Sequence, residues 1–135
     1  MYKFSEISKR RLAECHIDLQ VLFNEIIEHR DCSILCGFRN KADQDRAYLQ
    51  GFSKKKFPNS KHNTVPLSSA VDVMPYPIKW DDIDGIEKFA HLVLAVANRL
   101  YYEGKMSKRI RWGGDWNSNK IKDEKFYDLP HYEIY

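Results

Sequence analysis

The sequence predicts an α+β domain in which helices pack on a small antiparallel sheet. Three observations carry that prediction. Apolar residues recur at helical spacing in two long segments, short apolar runs bounded by turn residues appear at four places, and the two kinds of element do not alternate regularly. With 135 residues and 43% hydrophobic content, the chain is sized for one domain over residues 1–135 with an ordinary core.

Residues 8–14 have helical character. A second helix begins at His16 or Asp18, marked by Leu19, Leu22, Phe23, Ile26 and Ile27 at helical spacing. His29 and Arg30 fall in its last turn, where cations complement the helix dipole, so His29 reads as a surface cap. Residues 32–38 form a strand, and alternation puts Cys32 and Cys36 on one face as small buried hydrophobes. A polar turn leads to a helix over residues 42–50, ended by Gly51. The run 53–60, with Lys54, Lys55, Lys56 and Pro58, is an exposed loop.

A central strand follows at residues 70–74, stopped by Pro75 and Pro77. Asp84 is the expected N-cap of a long helix over residues 85–102, with Ile86, Phe89, Ala90, Val93, Leu94, Ala97, Leu100 and Tyr101 on one face and Gly104 closing it. His91 lies beside that face as a structural residue. Residues 109–112 form a strand, Gly113 and Gly114 a turn, and a polar excursion runs to Lys125. The last strand spans residues 128–134 and carries Pro130.

Against 19 acidic residues stand 22 Lys and Arg, a net charge of +3. That balance helps approach to an anionic polymer but is no nucleic-acid footprint, so no nucleic-acid partner is expected. The loop lysines are either solvated charge or a steering patch for an anionic substrate. Three cysteines make neither an even disulfide framework nor a CxxC pair, which suggests synthesis in a reducing compartment. No apolar run of signal-peptide length opens the chain, and none of about 18 residues appears anywhere. Cytoplasmic synthesis without a cleavable signal, no membrane insertion and a monomeric state are expected.

A catalytic zinc takes three protein ligands and leaves a fourth position open for water. His62 in a loop, Asp72 inside an apolar strand and His131 on the final strand can supply that set. An ionised Asp amid Ala70, Val71, Val73 and Met74 is costly to bury without a cation or strong hydrogen bonds. Zinc answers that need, and so does a buried Arg. Asp128, three residues before His131, suits a general base beside the metal, or a turn cap. Spread over some 70 residues, these groups are not a self-sufficient motif like HExxH.

At these residues the chain resembles the zinc D,L-peptidases of bacterial cell walls, a family that includes D-Ala-D-Ala carboxypeptidases and dipeptidases and the L-alanyl-D-glutamate endopeptidases of phage endolysins. The resemblance rests on five ordered elements: Cys36-Gly37-Phe38-Arg39 with Gln44; Ser60-Lys61-His62; Ser69-Ala70-Val71-Asp72; Trp112-Gly113-Gly114-Asp115-Trp116; and Asp128-Leu129-Pro130-His131-Tyr132-Glu133. It implies a hedgehog/D-Ala-D-Ala-peptidase-like zinc site with His62, Asp72 and His131 as ligands and Asp128 as catalytic carboxylate. It also implies that Arg39 faces the cleft, to stabilise an oxyanion or hold a substrate carboxylate, and that Gln44 and Ser60 are substrate contacts or supports. Asp115 is a candidate acceptor for a ligand histidine. One departure is the segment 63–71, which holds Pro66 and no Gly, where many relatives are shorter and contain Gly; this form looks like the phage-type members.

The resemblance therefore implies a zinc-dependent hydrolase of the peptidoglycan stem peptide, most consistent with an endolysin that cuts the L-alanyl-D-glutamate bond after membrane permeabilisation. A D-Ala-D-Ala carboxypeptidase and a non-catalytic zinc-containing wall-binding module are the alternatives. A ββα-metal nuclease fits poorly, because Pro66 and an apolar strand follow His62 where a compact hairpin and helix are needed.

Overall fold

The computed structural model describes residues 1–116 and 128–135, so most of the polar excursion expected up to Lys125 lies outside the described residues. In chain order the elements are α1 (Glu6–Ala13), α2 (Ile17–Ile26), β1 (Cys32–Cys36), α3 (Lys41–Leu49), β2 (Ala70–Pro75), α4 (Ile83–Tyr102), β3 (Ile110–Trp112) and β4 (His131–Ile134). The four strands form one antiparallel sheet in the order β1-β2-β4-β3. The predicted α+β class is therefore the observed one.

Side-chain alternation gives this sheet two chemically different faces. Val71 and Val73 of β2, Ile110 and Trp112 of β3, and Tyr132 and Ile134 of β4 belong to the core, together with Leu19, Leu22, Phe23 and Ile26 of α2 and Phe89, Val93, Ala97 and Leu100 of α4. Tyr132, fully buried, meets Phe23 and Phe89 edge-on at centroid distances of 5.6 and 6.4 Å. The residues between them, Asp72, Arg111, His131 and Glu133, take the opposite face. The polar groups of β2, β3 and β4 are thus gathered on one side by parity alone.

Each helix start is set by a side-chain cap. Ser5, His16 and Asn40 accept from the backbone N–H groups of Ser8, Asp18 and Asp43 at the heads of α1, α2 and α3. The cap of α4 is Asp82, whose carboxylate accepts from Gly85 N at 3.1 Å. Asp84, expected in that role, sits instead in the first helical turn, where its charge favours the helix dipole. Two strands are shorter than expected by more than one residue. The register between β1 and β2 shifts between Ile34 and Cys36, so β1 ends there, with Cys32 buried and Cys36 only half-buried. Residues 128–130 form a turn ahead of β4, since Pro130 has no N–H to give a ladder.

Candidate metal centre and cleft

Sheet register brings two of the expected ligands together. Asp72 of β2 lies directly opposite His131 of β4, and both point to the polar face. The third, His62, arrives from a single 3-10 turn, Lys61–Asn63, which Ser60 caps by accepting from His62 N at 3.2 Å. Asn63 completes a capping box by accepting from Ser60 N at 3.0 Å. Arg39 N donates to His62 O, and the Asn63 amide donates to Arg39 O at 2.8 Å, so the turn is anchored to the chain leaving β1.

One potential ligand atom from each of His62, Asp72 and His131 lies within 4.8 Å of the others. A tetrahedral zinc with bonds near ~2.0–2.1 Å sets its ligand atoms about 3.3 Å apart, which matches the separations of Asp72 from the two histidines. His62 Nε2 and His131 Nδ1 lie 3.2 and 3.4 Å from Asp72 Oδ1. The other nitrogens are engaged elsewhere: His62 Nδ1 is 2.8 Å from Gly37 O, and His131 Nε2 is 2.7 Å from Glu133 Oε1. Those acceptors assign the protons to the outer nitrogens and turn two lone pairs inward toward a carboxylate. Buried His131 Nδ1 has no hydrogen-bond partner among the described residues. Two imidazole lone pairs and one carboxylate aimed at a common point are the donor set of a divalent cation.

Without a cation, the Asp72 carboxylate instead draws a proton onto the inward His62 nitrogen. Burial disfavours the charged form of His62, but the Asp72 charge and hydrogen bond, with Cys36 adding, raise its pKa to about 10. Burial likewise pushes the Asp72 carboxyl up, and His62 and His131 overcome it and hold Asp72 well below the usual carboxylate range. Asp128 moves the other way. Burial and then the Asp72 charge raise its pKa to about 6, against the opposing pull of His131, His62 and Arg39. Asp128 Oδ2 lies 3.8 Å from His131 Nδ1.

A cleft of about 270 Å³ opens over this group. His62, Asp128 and His131 line it; Arg39, Lys54, Lys55, Lys61 and Arg111 make its walls cationic, and Trp116 closes one side, tilted against the His131 ring at 5.3 Å.

Comparison with known proteins decides the family. The family model for phage L-alanyl-D-glutamate peptidases matches residues 1–135, the whole chain. The chain belongs to that family. Among solved structures, the crystal structure of Serratia marcescens L-Ala D-Glu endopeptidase ChiX superposes with a TM-score of 0.71 and 23% sequence identity, over 99% of this chain and 91% of that one, which shows a shared fold. No curated protein matches.

In this phage-type peptidase, then, the fold assembles His62, Asp72, His131 and Asp128 beside a cleft that all but Asp72 line. Arg39 also lines the cleft. Its guanidinium reaches Gln44 Oε1 at 3.0 Å and Asp72 Oδ2 at 3.4 Å, so it steadies the Asp72 carboxylate as well as facing the cavity. The Arg considered as an alternative partner for Asp72 is thus present beside the histidines, half-buried. Gln44 is fully buried and makes four contacts, accepting from Arg39 and Asn63 and donating to Ser53 Oγ and Lys55 O. That geometry makes it a strut for Arg39 and the lysine loop, with no surface left for substrate. Ser60 lines the cleft and caps the His62 turn, a support with one exposed edge.

One correction concerns the aromatic-glycine element. The acceptor role considered for Asp115 is filled by Glu133 for His131 and by Gly37 for His62. Trp112 is a packing residue, donating its indole N–H to Leu129 O at 2.7 Å. Residue-by-residue reading gave Glu133 no role, although its i+2 offset from His131 on a strand placed it on the same face. It also missed Gly113. There Asp128 N donates to Gly113 O at 2.9 Å and Gly113 N to His131 O at 2.8 Å, and a Cβ would collide with the Asp128 carbonyl.

Proposed function

We propose that this peptidase hydrolyses the L-alanyl-D-glutamate bond of the peptidoglycan stem peptide with zinc held by His62, Asp72 and His131 and Asp128 as general base. The observation that carries the reading is the convergence of two imidazoles and a carboxylate beside a second carboxylate, Asp128, whose pKa is raised, at a cleft. When bound, zinc supplies Lewis-acid polarisation of the scissile carbonyl and acidifies water toward a pKa of ~7.

The chain's own groups do the rest. Asp128 accepts the proton of the attacking water and passes it to the departing amine of the D-glutamyl peptide. Arg39, steadied by Gln44, directs an N–H to the carbonyl oxygen as negative charge develops there. Ser60 and Asn63 keep His62 aimed, and Glu133 keeps His131 aimed. Among the described residues no helix is long and apolar enough to cross a membrane. We place the action on the wall after the membrane has been permeabilised.

Mass spectrometry of peptidoglycan digested by the zinc-loaded protein tests the reading. New D-glutamate amino termini are expected. Release of free D-alanine alone would move the activity to the terminal bond, and absence of any product would leave a wall-binding module. His62→Ala and His131→Ala are expected to lose zinc, whereas Asp128→Ala keeps zinc and loses on the order of 100-fold or more in turnover.

A further inference from the structure

We propose that Lys61 and Arg111 form a carboxylate-binding subsite for the acidic residue that follows the scissile bond. The proposal rests on the peptidase reading above and adds to it the groups that choose the residue on the leaving side.

Both residues line the cleft. Lys61 immediately precedes His62, and Arg111 of β3 is paired in register with Glu133 of β4, on the same face as His131. The two cations share one acceptor. Lys61 Nζ lies 3.8 Å and Arg111 Nε 3.9 Å from Glu133 Oε2, while Oε1 of that carboxylate is taken by His131. Both distances exceed the ~2.7–2.9 Å of a direct charge-assisted hydrogen bond. Two positive charges against one negative charge leave this corner with an excess of +1 once His131 is neutral, as a metal ligand must be.

The donors are also pre-arranged. Lys61 Nζ donates one N–H to Ile134 O at 2.9 Å, which fixes the ammonium and leaves two N–H groups. The Arg111 guanidinium stacks over the Tyr135 ring at 4.4 Å and makes no hydrogen bond among the described residues. The other cleft cations are less suited. Arg39 is committed to Gln44 and Asp72, and Lys54 and Lys55 are exposed on a loop, where water and salt screen them.

The substrate has the matching chemistry. Glutamate carries two carboxyl groups and the next peptide bond uses one, so the residue that supplies the leaving amine keeps a free carboxylate. A planar guanidinium and an ammonium on one side of the metal can hold that group while the scissile carbonyl faces Asp128.

Two synthetic stem peptides test this, identical except that the free carboxylate of the D-glutamyl residue is a carboxamide in one. With the wild-type zinc-loaded protein, the acid is expected to be cleaved at least tenfold more efficiently, the difference residing in KM and shrinking as salt is raised. Arg111→Ala and Lys61→Ala are each expected to remove most of that preference by slowing the acid peptide, and Arg111→Lys to restore part of it. Equal cleavage of both peptides by the wild-type protein would overturn the subsite while leaving the peptidase reading intact, and needs no variant to fold. Full preference retained in both alanine variants would overturn it as well. If neither peptide is cleaved, the L-alanyl-D-glutamate reading fails and the subsite with it.

Discussion

At His131 the two ring nitrogens have different tasks, and a single neighbour separates them. Glu133 accepts from Nε2 at 2.7 Å, which leaves the Nδ1 lone pair for a cation. Glu133 itself stays ionised: burial pushes its pKa up, but the His131 hydrogen bond and charge, with Lys61 and Arg111, hold it below the usual value. Partners of this kind are worth about 10–100-fold in metal affinity. Zinc titration against a competing chelator should show a loss of that size in Glu133→Ala and a smaller one in Glu133→Gln, which keeps an acceptor oxygen. A second prediction concerns protons. Without metal His62 titrates near 10, above neutral pH, so a metal ion must displace its proton. Zinc affinity should rise with pH through the range 6–8, and calorimetry in buffers of different ionisation enthalpy should report proton release on binding.

The element that sets the reacting geometry is the junction between β3 and the turn before β4. Gly113 exchanges backbone hydrogen bonds with Asp128 and His131, and lies so close that a Cβ would meet the Asp128 carbonyl. The backbone carrying Asp128, the proposed base, is therefore positioned by a glycine in the turn that follows β3. Gly113→Ala should push Asp128 away from the metal while leaving His62 and Asp72 in place. A misplacement near 1 Å costs on the order of 100-fold in rate. Steady-state kinetics should show that loss in kcat, with zinc content by atomic absorption close to wild type; loss of zinc together with activity would mean that the junction supports His131 more than Asp128.

For the molecule as a whole, the apolar face of the sheet and the polar face are two sides of the same strands. Tyr132 anchors the core between His131 and Glu133, which line the cleft, so packing and chemistry are mechanically joined. Removing side-chain volume on the apolar side tests the first half of that statement. Leu22 is fully buried, and Leu22→Ala is predicted to lower stability by about 2–5 kcal/mol in a denaturant melt. Metal tests the second half. A ligand at about 100 times its Kd stabilises the native state by about 2.7 kcal/mol, so chelator should lower the melting temperature and zinc should restore it. A melting temperature indifferent to chelator would separate the metal from the fold.

Local pattern was enough for much of this protein. Helical periodicity announced α2 and α4, because an amphipathic helix repeats its buried face every three to four residues. A short apolar run followed by prolines announced β2, and an Asp inside it already called for a cation or strong hydrogen bonds, since an unpaired buried charge is too costly to keep. The ordered motifs, read as a resemblance, named the family and with it the proposed metal ligands and base. Tertiary structure decided the relations between segments distant in sequence. It paired Asp72 with His131, turned Gln44 inward as a strut, gave the acceptor role to Glu133 in place of Asp115, and set Lys61 beside Arg111. Periodicity tells which face a residue takes within its own element. Which residues meet across elements depends on strand register and packing, and those are settled only when the whole chain closes on its core.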